Sequence, residues 1–355
     1  MKDTFKNMIV VELAGVLAGP SVGLFFAELG ATVIKIENPK TKGDITRSWK
    51  LQSEPTDENT SAYYWSVNTG KEVIFLDLTD KHDLEKFYTL VKIADVLISN
   101  YKAGDDIKLK VDYSTLSALN AELIYASING FGTNSPRSAY DLILQAESGF
   151  MHMNGEKGSK ALKMPVALID LLAGHQLKEA ILLALVKKNT TQKGSHVSVS
   201  LLDTAIASLA NQATNWLIAH HLPSAQGSLH PNIAPYGEVF ETKDKHLITF
   251  AIGTDKQFLS LCTILKLDTI SPDNYKTNQQ RVIHREELFA LLNDKIMHLG
   301  FDELFNNCIK MDVPIGKIRN LKEVFELPEA QNMLNQIINK NRPVTSVKSV
   351  AFRFH

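Results

Sequence analysis

Asp170 is the residue whose place in the sequence best fits chemistry. It closes the apolar run PVALID and opens the apolar stretch LLAGHQLKEAILLAL, so it lies where a buried strand or loop meets a helix N-terminus. A carboxylate there can cap the helix by accepting backbone N–H bonds. It can also act as a nucleophile, because the helix dipole favours its ionised form. The local sequence leaves both roles open.

Three glycines, Gly15, Gly19 and Gly23, lie in the first strand-to-helix turn, and Glu37 ends the next strand. An acidic residue at that place is typical of dinucleotide sites, where it binds the ribose. The spacing of the glycines differs from the G-x-G-x-x-G pattern, in which the backbone approaches a pyrophosphate. A tight turn with glycines for helix packing is the simpler interpretation, and a nicotinamide or flavin site is the alternative.

Other catalytic and metal-binding motifs are absent from the sequence. It has no nucleophile elbow, P-loop or H-E-x-x-H motif. His220 and His221 are adjacent on a predicted helix and cannot share a face as joint metal ligands. Cys262 and Cys308 form no C-x-x-C pair, so neither a disulfide framework nor a structural zinc site is indicated. We expect no metal and a reducing, cytoplasmic location.

Composition excludes several classes of protein. The 355 residues are enough for two or three domains of about 150 residues. With 44% hydrophobic and 22% charged residues the chain is in the globular range. Its 38 basic and 39 acidic residues give a net charge of −1, which provides no basic excess for nucleic acid. No apolar run approaches the roughly 18 residues that span a bilayer, so we expect neither a nucleic-acid nor a membrane partner.

The elements that must position Asp170 begin with a strand, loop, helix and strand. These are MIVVEL, AGVLAGP, SVGLFFAELG and ATVIKIE, with Pro20 suited to a first helical turn and Gly30 to a helix C-terminus. The pattern recurs in VIFLDL, KHDLEKFYTLVKIA, DVLISN and LIYASINGFG. Such repeats predict an α/β fold with a Rossmann-like open parallel sheet.

The second half of the chain changes character. A long helix is predicted from near Asp170, followed by the strand SHVSVSL and a second long helix, LLDTAIASLANQATNWLIAHH. The segment LPSAQGSLHPNIAPYG is typical of a linker or a long functional loop. Beyond it, EVFET, KHLITFAIG and helical stretches to Leu299 predict a smaller α+β domain. A short strand, PIGKIR, and a helix from near Leu321 follow.

Several of these segments together resemble the class III CoA-transferase family (CaiB/BaiF, formyl-CoA transferase-like). The opening VVELAGVLAGPSVGLFFAELGATVIKIENPKTKGDITR is similar to that family's AGP turn, LGA-x-VIK-x-E strand and GD-x-TR close. Further similar blocks, in the same order, are SAYYWSVNTGKEVIFLDL, IADVLISNYKAG, LIYASINGFG, AYDLILQAESG, PVALIDLLAG and HPNIAPYGEVFETKD.

The resemblance implies a domain organisation and an assembly. A large Rossmann-like CoA-binding domain would comprise residues 1–200 and 321–355, and a small α+β domain residues 227–311. Linkers would cover residues 201–226 and 312–320. The family's architecture implies an intertwined homodimer.

The resemblance also implies site residues. Asp170 falls on the family's catalytic aspartate and Tyr140 on an active-site tyrosine. The residues implied to bind coenzyme A are Val16, Leu17, Ala18, Arg47, Lys71, Asn100, Tyr101, Lys108 and Arg137. A few Lys and Arg side chains among apolar loops suffice for a phosphate ligand of this kind.

The implied reaction moves CoA from an acyl-CoA to a small carboxylic acid by covalent catalysis. Asp170 would form a mixed anhydride and then an aspartyl-CoA thioester, and backbone N–H groups would stabilise the oxyanions. Coenzyme A enters as part of the substrate, and no metal is needed.

The chain departs from the family pattern in three places. Asn38 replaces an arginine that contacts the nucleotide in some relatives, so that contact would come from Lys40, Lys42 or Arg47. No run of consecutive glycines precedes the small domain, which leaves residues 227–237 as the covering loop. The chain also ends soon after Val350, earlier than the family's usual tail.

Two alternatives stay open. A racemase branch of the family moves the α-proton of 2-methylacyl-CoA between two bases, one of them a histidine before an aspartate. Here the corresponding pair is Tyr140 and Asp141, and tyrosine is a poor base near neutral pH. The other alternative is a non-catalytic protein that binds CoA or a nucleotide.

Overall fold

The computed structural model describes residues 3–133, 135–267, 272–339 and 342–353. They divide into two units. The larger one comprises Met1–Met153, Ala161–Pro223 and Asn332–His355, and the smaller one Asn154–Lys160 and Ser224–Gln331. The presence of a large and a small unit confirms the coarse prediction, whereas the domain and linker limits proposed from the sequence stay a prediction.

The larger unit is built on a parallel sheet. Among the described residues it has six strands, β1 Ile9–Glu12, β2 Thr32–Glu37, β3 Glu72–Phe75, β4 Val96–Ser99, β5 Ile124–Asn129 and β6 Ser195–Ser200. Their order is β3-β2-β1-β4-β5-β6, and every neighbouring pair is parallel. This 3-2-1-4-5-6 order is that of a Rossmann fold, so the α/β prediction is confirmed.

Helices cover both faces of this sheet. Those described are α1 Ala18–Glu28, α2 Ala62–Asn68, α3 Lys81–Val91, α4 Asp105–Lys108, α5 Tyr113–Leu119, α6 Asp141–Glu147, α7 Phe150–Met153, α8 Leu168–Thr191, α9 Leu201–Ala207 and α10 Ala210–Leu217, with 3-10 turns at Pro39–Thr41 and Ile45–Ser48. Alternate residues of β1 point to opposite faces: Val10 packs in the core with α1 and α8, and Val11 in the core with α3 and α5. Strands buried on both faces explain the continuous apolar runs in the sequence.

Two parts of the larger unit differ from the secondary structure predicted from the sequence. The helix expected over residues 201–221 is divided into α9 and α10, because Ala210 has a φ of 47° and the hydroxyl of Ser208 bonds back to Thr204 O. The polar C-terminal end holds a hairpin, β10 Leu334–Asn339 and β11 Arg342–Val347. Its Ser346 hydroxyl lies 3.4 Å from that of Thr69, so the hairpin contacts the end of α2.

The smaller unit combines an antiparallel sheet with helices. Its strands β7 Tyr236–Glu241, β8 Leu247–Ala251 and β9 Ile315–Lys317 pair in that order. The helices that follow along the chain are α11 Asp255–Ile264, α12 Pro272–Tyr275, α13 Asn278–Ile283, α14 Arg285–Ile296, α15 Phe301–Lys310, α16 Leu321–Phe325 and α17 Pro328–Asn332. The unit has its own core around Phe240, Phe250 and Leu292. Within the described part of the chain, no helix has the length and apolarity needed to cross a bilayer.

Candidate active site

A pocket of about 300 Å³ opens at the carboxyl ends of strands β1, β4 and β5. It lies where the strand order reverses, between β1 and β4, which is the place where open α/β sheets bind ligands. The turn after β1 and the loop after β4 are joined at this point by one amide. Asn100 accepts the Gly15 N–H at 3.0 Å and donates to Gly15 O at 2.8 Å.

The pocket brings together eight of the eleven site residues proposed from the sequence. They are Val16, Leu17, Ala18, Asn100, Tyr101, Arg137, Tyr140 and Asp170. They come from four separate stretches of the chain, so their meeting depends on the fold and not on sequence proximity. The roles assigned to them stay predictions.

Asp170 is almost buried in this pocket, with 7% of its surface exposed. It lies in the first turn of α8, which begins at Leu168 and whose N-cap, Ala167, makes no side-chain bond. Asp141 fills the capping role from α6, because its Oδ1 accepts the N–H groups of Ile169 at 2.7 Å and Asp170 at 3.4 Å. The structure therefore places Asp141, and not Asp170, in the capping position of α8, and the catalytic role of Asp170 stays a prediction.

The electrostatics of Asp170 differ from the sequence expectation. Burial, followed by the nearby charge of Asp141, raises the pKa of Asp170 to about 7. A helix N-terminus favours the ionised carboxylate, but here desolvation outweighs that effect. A carboxyl group that titrates near neutral pH in a pocket is typical of functional sites.

Arg47 and Lys71 do not line the pocket. Arg47 forms a two-pronged ion pair with Glu37, at 2.7 and 3.0 Å, and its guanidinium also donates to the Tyr64 hydroxyl. The side chain of Lys71 is fully buried, and its Nζ lies 2.8 Å from Glu12 Oε2 and 2.8 Å from Pro20 O. Their predicted contacts with CoA stay predictions.

Lys108 also lies outside the pocket. Lys102, which was not among the CoA-binding residues proposed from the sequence, lines it. Lys108 is 78% exposed and pairs with Asp105 at 3.1 Å. Lys102 lines the pocket and donates to the Ser138 hydroxyl at 2.6 Å. Arg137, half-exposed, pairs with Glu147 and stacks over the Phe131 ring at 3.7 Å. Lys102 and Arg137 thus place two cations on the pocket wall.

Tyr63 is a further residue that sequence reasoning missed. Burial, then the charges of Asp170 and Asp141, raise the pKa of its phenol to about 12, so the phenol stays protonated within electrostatic reach of Asp170. Its ring packs edge-on against Trp49, with centroids 5.2 Å apart. Tyr63 lies in the family-like segment SAYYWSVNTGKEVIFLDL, but a run of aromatic residues does not show which ring lies near a buried carboxylate.

The glycines of the first turn have packing roles. A Cβ at Gly19 would lie 2.3 Å from the Cβ of Ala14, and one at Gly23 would lie 1.9 Å from Glu12 Oε2. Glu37, which would bind a ribose in a dinucleotide site, is instead bonded to Arg47 and Tyr64. These contacts favour the packing interpretation over a nicotinamide site.

Comparison with known proteins places the chain among CoA-transferases. The model of "CoA-transferase family III" matches residues 5–355. A succinate–glutarate CoA-transferase of Agrobacterium fabrum is 39% identical over 93% of this chain and 84% of that protein. A human succinyl-CoA:glutarate CoA-transferase is 34% identical over 91% and 74%. The crystal structure of a CaiB/BaiF family protein from Brucella suis has a TM-score of 0.82 and 36% identity, covering 98% of this chain and 91% of the other.

Proposed function

The chain belongs to CoA-transferase family III and is a CoA-transferase, and from that premise we propose that it moves CoA from an acyl-CoA to a short dicarboxylic acid through covalent intermediates on Asp170. The observation that carries the proposal is the buried Asp170 carboxylate in the same pocket as the turn of residues 16–18. The dicarboxylate class is supported by the named substrates of the relatives above, succinate and glutarate.

The first half of the proposed reaction uses the Asp170 carboxylate as a nucleophile. Its oxygen bonds to the thioester carbon, the C–S bond breaks, and the product is a mixed anhydride with a CoA thiolate. The thiolate then attacks the Asp170 carbonyl carbon, which releases the donor acid and leaves an aspartyl-CoA thioester. The acceptor carboxylate reverses these steps: it displaces the thiolate to give a second anhydride, and the thiolate opens that anhydride to form the new acyl-CoA and restore Asp170.

Backbone and side chains of the pocket support this sequence of steps. The first N–H groups of a helix have no intrahelical acceptor, so those of Leu17 and Ala18 can donate to the oxyanion that develops on the thioester. Lys102 and Arg137 are suited to the CoA phosphates. Burial around Asp170 limits water, which would otherwise hydrolyse an anhydride.

The racemase alternative has Tyr140 at the position of its histidine base, and tyrosine is a poor base near neutral pH. The contacts of the neighbouring Asp141 also keep that residue from taking over the role. Its Oδ1 accepts two N–H groups of α8 and its Oδ2 accepts the Gln145 amide, so this carboxylate is committed to holding the helix. A base that exchanges an α-proton must be free to contact the substrate.

The direct test is capture of the intermediate. The protein is incubated with succinyl-CoA and hydroxylamine, digested, and the peptide containing Asp170 is weighed by mass spectrometry. We expect a hydroxamate at Asp170, and faster transfer to glutarate than to butyrate when each is the acceptor. Turnover without any mass change at Asp170 would contradict the covalent route.

A change of the neighbouring acid should move the pH dependence. Because kcat/KM requires ionised Asp170 in the free enzyme, it should rise with pH through a midpoint of about 7 and level off above it. Asp141→Asn keeps an oxygen for the α8 N–H groups but removes the charge that raises the Asp170 pKa, so the midpoint should move to lower pH. Glu85→Gln, on the exposed side of α3, is the matched charge control and should leave the midpoint unchanged. An unmoved midpoint in Asp141→Asn would assign the titration to another group.

We also propose that the chain forms the intertwined homodimer implied by its family. Large apolar side chains lie exposed on α8 and after α10, among them Leu183 at 70% and Ile218 at 77%. A second copy of the chain that packs on these side chains would cover them. Sedimentation equilibrium should give twice the chain mass, and a monomer would contradict the assignment.

A further inference from the structure

The turn that begins the pocket has an unusual backbone. Val16 has a φ of 70°, in the left-handed region that a β-branched residue rarely adopts. Such a conformation costs free energy and persists only when surrounding groups impose it. The question is therefore which groups hold Val16 in place.

Side chains from other elements bind three successive residues of this turn. Lys35 Nζ donates to Ala14 O at 2.6 Å. Asn100 binds both polar groups of Gly15. Asp44 accepts the Val16 N–H, with its two oxygens at 3.2 and 3.4 Å. The turn is thus fixed by bonds that its own local sequence does not supply.

Asp44 is itself held rigidly. Its Oδ1 accepts the Thr46 N–H at 3.0 Å and the Thr46 hydroxyl at 2.8 Å, and its Oδ2 lies 3.1 Å from Lys35 Nζ. Its side chain is 1% exposed, as is that of Lys35. Because both of its oxygens are bonded, the Asp44 carboxylate has a fixed position from which to accept the Val16 N–H.

Lys35 connects Asp44 to a second buried pair. Its Nζ lies 2.9 Å from Glu12 Oε1, and Glu12 Oε2 lies 2.8 Å from Lys71 Nζ. We call these four residues, Glu12, Lys35, Asp44 and Lys71, the buried charge network. It contains two positive and two negative groups, all with side chains no more than 1% exposed. A buried ion pair often adds little stability compared with apolar side chains, so its contacts with the turn suggest another use.

We propose that Asp44 and Lys35 are positioning residues, which hold Val16 in its left-handed conformation and so keep the Leu17 and Ala18 N–H groups in the pocket with Asp170. The inference rests on the proposed function, since it concerns the same oxyanion. Neither residue lines the pocket, so both act through the turn.

Removal of the Asp44 carboxylate should lower kcat more than it raises KM. In Asp44→Ala the Val16 N–H loses its acceptor, and kcat should fall about 10-fold to 100-fold. This is at or below the lower end of the roughly 100-fold to 1,000-fold loss for removal of an oxyanion donor, because here the donors are displaced and not removed. KM for succinyl-CoA should change less than about threefold, because the oxyanion forms only after binding. Asp44→Asn keeps an oxygen acceptor and should recover most of the loss.

The matched control removes another carboxylate that, like Asp44, accepts backbone N–H groups of the residues just after it. Asp80 accepts the N–H groups of His82 and Asp83 at the start of α3, and it does not line the pocket. Asp80→Ala should leave kcat unchanged. Should Asp44→Ala fail to fold, Asp44→Leu fills a similar volume without an acceptor and carries the same expectation.

A second substitution in the turn separates positioning from a general loss of structure. Glycine adopts a φ of 70° without steric cost, so in Val16→Gly the backbone depends less on Asp44. Asp44→Ala should then lower kcat less than about threefold relative to Val16→Gly alone. Equal fold losses in the two backgrounds would overturn the proposal, because Asp44 would not be acting through Val16.

The rate of adduct formation on Asp170 tests the proposed function and the positioning role of Asp44 separately. If the unchanged enzyme forms no adduct with succinyl-CoA, the proposed function fails. If it forms the adduct and Asp44→Ala forms it equally fast, the proposed function stands and the positioning role is overturned.

Discussion

Asp170→Asn should lower the turnover of acyl-CoA by about four orders of magnitude or more, the size of effect expected when a covalent nucleophile is removed. The amide has nearly the same shape but cannot form the anhydride. CoA should still bind, with a dissociation constant within about threefold by calorimetry, because the turn of residues 16–18 and the cations Lys102 and Arg137 are unchanged.

Two controls make this result specific. Asp170→Ala should be as inactive as Asp170→Asn, and the mass of the Asp170 peptide excludes activity regained by deamidation of the asparagine. A variant that keeps even a hundredth of the turnover would contradict a nucleophilic Asp170.

The same substitution should stabilise the protein at alkaline pH. The native-state pKa of Asp170 is raised from 3.8 to about 7, so its contribution to stability is fully present below about pH 4 and is lost as the pH rises through 7. At pH 8 the ionised, buried carboxylate costs up to about 4 kcal/mol. Asp170→Asn should therefore unfold at higher denaturant concentration than the unchanged protein at pH 8, with a smaller gain at pH 5. An equal gain at both values would mean that ionisation is not the cause.

The sequence predicts the scaffold of the site because local patterns determine it. Apolar runs buried on both faces, Pro20 in the first turn of α1 and a positive φ at Gly30 just after that helix all occur where the sequence indicates. The parallel sheet then places the ends of β1, β4 and β5 at one edge, and Asp170 follows at the start of α8. These features depend on residues close together in the chain.

Residues fixed by strand register were not predictable in the same way. Glu12 and Lys35 lie in apolar strands, and a single sequence does not show whether a charge there faces solvent or a partner. The parallel pairing of β1 with β2 makes Glu12 and Lys35 register partners, which brings their opposite charges to 2.9 Å. Lys71 joins the same network across 59 residues of chain, a contact with a buried carboxylate that its local sequence does not indicate.

Long-range contacts also explain the reversed pKa expectation for Asp170. The local sequence shows a helix N-terminus, which lowers a carboxyl pKa. It does not show that Asp141 lies against the same helix end or that the Asp170 carboxyl group is buried, and both raise the Asp170 pKa. The division of the predicted helix at Ser208 has a local cause, a hydroxyl bonded to the preceding turn, but serine is common enough in helices that the pattern alone does not indicate a break.

Lys35→Met should lower the free energy of unfolding of the larger unit by about 3–5 kcal/mol, because it leaves Asp44 buried without a counter-charge and Glu12 with Lys71 alone. Although burial disfavours both charged forms, Lys35 holds the pKa values of Glu12 and Asp44 below their ordinary range, with Lys71 assisting at Glu12. Denaturant unfolding followed by the fluorescence of the tryptophans, all in this unit, measures the loss.

Two further variants separate the loss of the buried ion pair from the mere loss of a lysine side chain. Lys86→Met breaks an exposed pair with Asp83 on α3 and should have little effect. Lys35→Met combined with Asp44→Asn removes both charges and should be less destabilised than the sum of the two single changes, because the second change removes the uncompensated anion that the first creates. If the two single effects simply add, or if Lys35→Met is no worse than Lys86→Met, the buried charge network does not couple these residues.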